Sequence, residues 1–385
     1  MYDVEPDGAP GPSAIFLADR STDGVASAGV ATVTVVDVGA AIGVAAAPAG
    51  AGGPAGEAGG PAGEAGPAGA AGPAGAAGEA GEAEVARNLV ASFRHTGFAV
   101  ITGHGVAPDL FDQFHATSAE FFALPLDEKM RVGFPAPDVI RGYEPVPAES
   151  GPVRAPNLME SFLINQLAPM GDYPDGSAQA RLWRWPNLWP ERPSSLRPVW
   201  EDYYRAMTGL GDRLLELVAV GAGLPRDWFA DKFDRHFNNL AANHYPPRVG
   251  GLTDSPMLRN RPHTDHGALT LLYRPSEPGG LEVFADGRWW QVPFVPGSLV
   301  INVGDILERW TGGLLPATPH RVVRGANPDV GRHSVAYFQQ PNPDVVVAPA
   351  LPVVAARPDY SPVVAGEHIS RKELGYHTVS AALDA

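Results

Sequence analysis

Not one of the 385 residues is a cysteine. Disulfides, thiolate zinc sites, iron–sulfur clusters and cysteine nucleophiles are excluded together, so any metal must be held by His, Asp or Glu. A chain without thiols suits a reducing cytoplasm, which is the expected location. Basic charge is scarce as well: 28 Lys and Arg stand against 43 Asp and Glu, for a formal net charge of -15. Nucleic-acid phosphates and anionic membrane surfaces both require a Lys/Arg patch, and no dense basic cluster occurs, so neither is an expected partner. Long apolar runs are missing too. The Ala/Gly/Val-rich stretch 25–53 is interrupted by Asp37 and Pro48, short of the ~20 consecutive apolar residues that a membrane span needs. The acidic opening "MYDVEPDGAPGPSAIF" has no basic n-region, so no secretory signal is expected. Neither a GxSxG elbow nor a helical HExxH occurs, which argues against serine hydrolases and the common zinc hydrolases. Lysine is limited to Lys129, Lys232 and Lys372 amid abundant Ala, Gly and Pro, a composition that points to a GC-rich bacterial genome.

What is present suffices for a large core. Hydrophobic residues make up 44 % of the chain, with 8 Trp, 10 Tyr and 15 Phe. Residues 1–30 are expected to lack fixed structure. "ATVTVVDVGAAI" (31–42) is β-branched and reads as one buried strand. From Gly60 to Gly81 glycine falls at every third position. The run is too short and too poor in proline for collagen, so the stretch from about 45 to 83 is expected to form a flexible inserted loop. "EVARNLVASFRHTG" (84–97) reads as an amphipathic helix ended by Gly97, followed by the strand "FAVITG" (98–103). A second helix is expected from Pro108 to Pro125. A third runs from Leu196 to Val220, where Trp200, Tyr203, Tyr204, Met207, Leu210, Leu214, Leu217 and Val218 recur at helical spacing. After about Phe237 the pattern becomes short apolar runs broken by Gly, Pro, Asp and Asn, the mark of an antiparallel sandwich or barrel. The segment "GEHISRKELGYHTVSAAL" returns to helix. The expected fold class is therefore α+β with a mainly β core. A mostly helical N-terminal region (31–235) serves a β region (236–385) that ends in a helix.

The chemistry gathers in "RPHTDHGALTLLY" (261–273). If this is a strand, alternation puts His263 and Asp265 on one face and turns His266 away. A third ligand must come from elsewhere. His320, at the mouth of the Val-rich "PHRVVRG", is the strongest candidate, while His95, His104, His115 and His333 read as ordinary histidines. Two histidines and one carboxylate leave coordination positions open, the facial triad of non-haem Fe(II) oxygenases. In "RHSVAYF", Arg332 and Ser334 share a strand face twelve residues after His320, and a guanidinium fork plus a hydroxyl can grip a carboxylate.

Together "HTD", "PHRVV" and "RHS" resemble the iron/2-oxoglutarate-dependent dioxygenases of the isopenicillin N synthase-like superfamily. "AANHYPP", "TVTVVDV", "GFAVITGHGV" and "FFALPLDEKMRV" add to the resemblance, which covers roughly 31–44 and 84–380. It implies a double-stranded β-helix (jelly roll) flanked by helices from the N-terminal half. It also implies Fe(II), 2-oxoglutarate and O2 as cofactor and cosubstrates, and a small-molecule substrate. By resemblance His263, Asp265 and His320 match the iron ligands. Arg332 and Ser334 match the pair that binds the distal carboxylate of 2-oxoglutarate, and Asn243 and Tyr245 fall where cosubstrate contacts lie. "RGYEPV" (Arg141, Tyr143) and "MESFLI" (Glu160, Phe162) align with segments that often line the substrate pocket. The presence of Asp265 disfavours halogenation and leaves hydroxylation, desaturation and ring closure, with amino-acid, peptide or antibiotic scaffolds of specialised metabolism as expected substrates. Two alternatives stand beside this reading: a same-fold oxidase whose Arg332 and Ser334 hold a substrate carboxylate instead of 2-oxoglutarate, and a non-catalytic metal- or ligand-binding protein. The 45–83 insertion and the first 30 residues have no counterpart in the family.

Overall fold

The computed structural model describes residues 33–42, 73–136, 139–146, 159–167, 185–247, 258–275, 280–323, 331–354 and 360–381. In chain order the first strands are β1 (Val35–Asp37), β2 (Phe98–Thr102), β3 (Gly142–Glu144), β4 (Glu160–Ile164) and β5 (Asn239–Tyr245). Next come β6 (Leu258–His263), β7 (Leu269–Tyr273), β8 (Leu281–Ala285), β9 (Arg288–Gln291) and β10 (Leu299–Val303). The last are β11 (His320–Val323), β12 (Arg332–Gln339), β13 (Val346–Val347) and β14 (Val363–Val364). The larger sheet has the order β1-β2-β10-β7-β12-β5-β4-β3 and the smaller one β6-β11-β8-β9, with β13 and β14 as a separate pair. From β5 onward the chain passes back and forth between the two sheets. That alternation is the double-stranded β-helix, and its antiparallel pairings follow from it.

The larger sheet is covered on both faces, which is why β10, "LVINV", is buried at every position instead of alternating. One face packs on helices. Helix α1 (Pro73–Thr96), α2 (Pro108–Phe122), α3 (Leu126–Met130) and α4 (Leu196–Gly221) precede the jelly roll in the chain. The apolar stripe expected on α4 is buried along its whole length. Phe98, Val100, Val300, Val283 and Val322 fill the space between the two sheets. Short α5 (Ala230–Phe233), α6 (Asp305–Trp310) and the C-terminal α7 (Ala365–Ala381) complete the described elements. No helix among the described residues is long and apolar enough to cross a membrane.

Two sequence expectations change here. Residues 1–32 and 43–72 lie outside the described residues, but the end of the Gly/Ala repeat does not: α1 begins at Pro73, inside the stretch read as a loop. Alanine and glutamate are good helix formers, and tertiary contacts offset the glycines. Glu82 in this segment pairs with Arg213 on α4 (2.9 Å) and with Arg226. Gly221 lets α1 approach closely, because a Cβ there would stand 2.3 Å from the Ala86 carbonyl oxygen.

The second change concerns the pocket segments. Tyr143 pairs with Phe162, and both rings turn toward the helices, Phe162 against Phe121 and Trp200. Arg141 is buried beside Asn187. Glu160 sits beneath the helices as the centre of a polar cluster. Its carboxylate accepts from Lys129 Nζ (2.7 Å), Tyr143 Oη (2.5 Å) and His244 Nδ1 (2.7 Å). None of these four lines the face that carries the metal-ligand candidates.

The cluster gives the fold an acid-sensitive side. The ring of His333 stacks on His244 (4.6 Å) and meets His115 edge-on (5.0 Å). Burial first, then His244 and His115, push His333 down to about 3. An unfolded histidine takes up its proton near 6.5 while the folded one stays neutral, so stability falls as pH drops from 6.5 toward 3. Glu160 adds the same sign at lower pH. Burial alone would raise its pKa, but His244, Lys129 and Tyr143 hold it below the ordinary value, and that gain is lost on acidification. Urea unfolding at stepped pH is expected to show a steep decline below 6.5. His333→Leu should flatten it, and an unchanged slope would contradict this assignment.

Candidate active site

β6 ends at His263 and β11 begins at His320. The two are register partners, which sets their rings side by side with centroids 4.3 Å apart. Asp265 lies in the turn between β6 and β7, not on a strand. Strand alternation therefore does not aim its carboxylate; hydrogen bonds do. Asp265 Oδ2 accepts from Thr270 Oγ1 (2.5 Å) on β7 and from Asn302 Nδ2 (2.7 Å) on β10. Its main-chain carbonyl accepts from Asp305 N (2.9 Å). The turn closes tightly at Gly267, where a Cβ would come 2.9 Å from the Gln339 carbonyl oxygen.

Each ligand candidate has one polar atom already bonded to the protein. His263 Nδ1 donates to the Arg261 carbonyl (2.7 Å) and His320 Nδ1 to the Thr318 carbonyl (3.2 Å). This fixes Nε2 as the unprotonated nitrogen on both rings. The two Nε2 atoms and Asp265 Oδ1 then converge, with Oδ1 3.7 Å from His263 and 3.6 Å from His320. Among the described residues no other group of three such side chains comes together this way. Burial, with His320 adding to it, pushes the His263 pKa well down and keeps it neutral, as a ligand must be. Burial would raise Asp265, but His320, His263, Asn302 and Thr270 hold it below its ordinary value, so it is ionised. His266 faces Glu373 at 3.8 Å instead of this centre.

Asn302 and Thr270 escaped sequence reasoning. The available signal was a lone asparagine inside the otherwise apolar "LVINV". Phe98, whose ring meets His320 edge-on at 5.3 Å, gave no signal at all.

On the larger sheet Arg332 is opposite Tyr245 and Ser334 opposite Asn243, all on the face toward the triad. The Arg332 guanidinium lies 4.8 Å from the centre of the Tyr245 ring. Arg259, a further residue unforeseen from sequence, stands 5.7 Å from the same ring. Ser161 Oγ donates to Asn243 Oδ1 (2.8 Å). Arg332 Nη1 is buried and has no hydrogen-bond partner. A buried, unpaired guanidinium nitrogen calls for an acceptor, and a ligand carboxylate fits it. His/Asp/His donors and an orphaned arginine are together suited to a metal ion and a dicarboxylate.

Comparison with known proteins agrees. The 2OG-Fe(II) oxygenase superfamily model matches residues 237–341, and the N-terminal model of the non-haem dioxygenases in morphine synthesis matches 73–192. The 2-oxoglutarate-dependent dioxygenase citB of Monascus ruber is 35% identical over 290 residues, 69% of this chain and 83% of that protein. This chain belongs to the 2OG-Fe(II) oxygenase superfamily. The oxygenase is also 31% identical to homoarginine-6-hydroxylase 2-ODD-233 of Oryza sativa subsp. japonica over 301 residues, 76% of this chain and 89% of that one. Among solved structures it resembles a full-length Neurospora crassa protein in complex with alpha-KG (TM-score 0.68, 26% identity, 77% and 92% of the two chains). A 2OG-Fe(II) oxygenase family protein from Caulobacter crescentus is similar too (TM-score 0.66, 30% identity, 77% and 95%). It is thus an isopenicillin N synthase-like, Fe(II)- and 2-oxoglutarate-dependent dioxygenase that consumes O2. The two alternative readings, an oxidase without 2-oxoglutarate and a non-catalytic binding protein, give way to it.

Proposed function

We propose that His263, Asp265 and His320 hold Fe(II), that Arg332 and Ser334 bind the distal carboxylate of 2-oxoglutarate beside Tyr245 and Asn243, and that the chain hydroxylates a small organic substrate. One observation carries the reading. His263 Nδ1, His320 Nδ1 and Asp265 Oδ2 are bonded to protein groups, and one ligand atom from each of the three side chains lies within 4.8 Å of the other two. Hydroxylation, ahead of desaturation or ring closure, is supported by the hydroxylase among the relatives.

When bound, the iron supplies the oxidising power by coupling decarboxylation of 2-oxoglutarate with O2 to removal of hydrogen from the substrate. The chain's own part is orientation and exclusion of water. Thr270 and Asn302 keep Asp265 ionised and turn Oδ1 inward. The carbonyls of Arg261 and Thr318 lock both imidazole tautomers. Arg332 and Ser334 fix the far end of the cosubstrate, while Phe98, Val100 and Val300 close the space behind His320.

Anaerobic loading of the full chain with Fe(II), then 2-oxoglutarate, is expected to give the weak visible charge-transfer band of the chelate, and His320→Ala should lose it. Iron bound without a band would remove Arg332 and Ser334 from the cosubstrate site. Failure to bind iron would remove the triad.

A further inference from the structure

The face of the larger sheet that carries Arg332 and Ser334 continues along three strands. On β12 and just past it come Ala336, half-buried Phe338 and Gln340; β5 contributes Asn243, Ala241 and Asn239; β4 and the next residue contribute Ser161, Leu163 and Asn165. The cosubstrate residues occupy one end of this surface. At the other end three carboxamides gather, Asn165, Asn239 and Gln340, each at most 7% exposed. Gln340 Nε2 donates to Asn239 Oδ1 at 2.8 Å. That bond leaves Gln340 Oε1 facing away from Asn239, buried and without a partner, and Asn165 Oδ1 is buried and unpartnered in the same way. The row is close to the chemistry. A Cβ on Gly267, two residues after Asp265, would stand 3.2 Å from Gln340 Cγ.

Buried polar atoms are normally paired, and these two have no partner in the protein. Arg332 Nη1 is orphaned in the same manner on the same face, where the cosubstrate supplies the missing partner. The unpartnered atoms thus have opposite needs: Arg332 lacks an acceptor, whereas Gln340 and Asn165 lack donors. The acceptors are neutral carboxamides, and no carboxylate stands in the row. Burying an ammonium there would call for a counter-charge, but a neutral N–H would not.

We propose that Gln340 and Asn165, with Asn239 fixing Gln340, orient the substrate by accepting hydrogen bonds, and that the substrate carries a neutral N–H of amide, lactam or ureide type. This rests on the iron and cosubstrate site proposed above. A substrate analogue without the N–H leaves the carbonyls unpaired, and about 10- to 100-fold in affinity separates the two.

The test uses the full chain, anaerobic, with Mn(II) in place of iron and 2-oxoglutarate bound. The probes are the lactam dihydroisoquinolinone and the ketone tetralone, which has CH2 where the lactam has N–H. Mn(II) broadens the proton signals of molecules held near it, so the readout is binding beside the metal and not turnover. The lactam is expected to be broadened and to bind about 10- to 100-fold more tightly than the ketone. Gln340→Leu should abolish the difference while the 2-oxoglutarate signals stay broadened, and Gln340→Glu, which keeps an acceptor, should retain it. Asn165→Leu makes the same comparison from the other strand. Equal affinities, no binding of either probe, or a preference that survives both leucine variants overturns the proposal. If 2-oxoglutarate itself is not broadened in the wild type, the metal and cosubstrate reading fails first.

Discussion

Asp265→Ala is expected to abolish turnover, with Fe(II) affinity falling by more than the roughly 10- to 100-fold that loss of an outer-sphere partner alone costs a metal site. Asp265 is the anion of the triad, and the two histidines are neutral ligands. Without it a doubly charged ion would sit among neutral imidazoles in a buried site, where uncompensated charge is most costly. Geometry adds to the loss, because Oδ1 is the atom from which both Nε2 positions are measured, at 3.7 and 3.6 Å. The variant also strands Thr270 Oγ1 and Asn302 Nδ2, two donors that now end on the carboxylate. Each unpaired donor costs about 1–3 kcal/mol, so some loss of stability is expected as well. Asn302→Leu separates the effects. It leaves all three ligands in place, and Fe(II) affinity should then fall by only about 10- to 100-fold. Equilibrium Fe(II) titration, with succinate formation followed in parallel, measures both. Turnover in Asp265→Ala near the wild-type rate would show that the carboxylate is not a ligand.

The strongest sequence signals came from positions whose chemistry is costly in a core. His320 stood out because an imidazole opens a valine-rich strand, and Arg332 because, twelve residues further on, a guanidinium shares a strand face with a hydroxyl; both are buried in the structure. Helix α4 was legible from spacing alone, since eight large apolar residues at a helical period have no other way to share a face. Asp265 meets the two histidines by a route other than strand alternation. β6 stops at His263, and the carboxylate reaches the centre through a glycine turn and two hydrogen bonds whose donors lie in other strands. Such donors have no local signature. Tyr143 and Glu160 illustrate a different gap. Strands of three and five residues carry too little alternation to say which face is which, and one step of register exchanges pocket for core. The start of α1 was hidden because Gly at every third position masks the Ala and Glu that favour helix. Only the pairing of Glu82 with α4 reveals why the helix extends there.

Arg332→Leu is expected to weaken 2-oxoglutarate binding by about 30- to several thousand-fold, the range for removing one partner of a buried, hydrogen-bonded charge pair (about 2–5 kcal/mol). Arg332→Lys should recover only part of this, because a point charge does not reproduce a planar fork that rests on the Tyr245 ring. Ser334→Ala removes a single hydroxyl and should cost about tenfold or less. Fe(II) affinity gives the control: the triad hangs on β6, the turn after it and β11, whereas Arg332 lies on β12, so iron binding should be nearly unchanged in all three. The free protein supplies a second, independent sign. Without a carboxylate, Arg332 is a buried guanidinium with one nitrogen unpaired, and burial already lowers its pKa. Replacing an uncompensated buried charge by an apolar side chain is neutral or stabilising. Arg332→Leu should therefore melt at the same temperature as the wild type or higher when no 2-oxoglutarate is present. Adding 2-oxoglutarate should reverse that order, since a ligand stabilises in proportion to the logarithm of its concentration over its dissociation constant, and the variant has lost the affinity. A crossing of the two melting temperatures with cosubstrate concentration is a result that a merely structural arginine would not give. If Arg332→Leu is destabilised without ligand and still gains the full thermal shift with it, the guanidinium belongs to the fold and not to the cosubstrate.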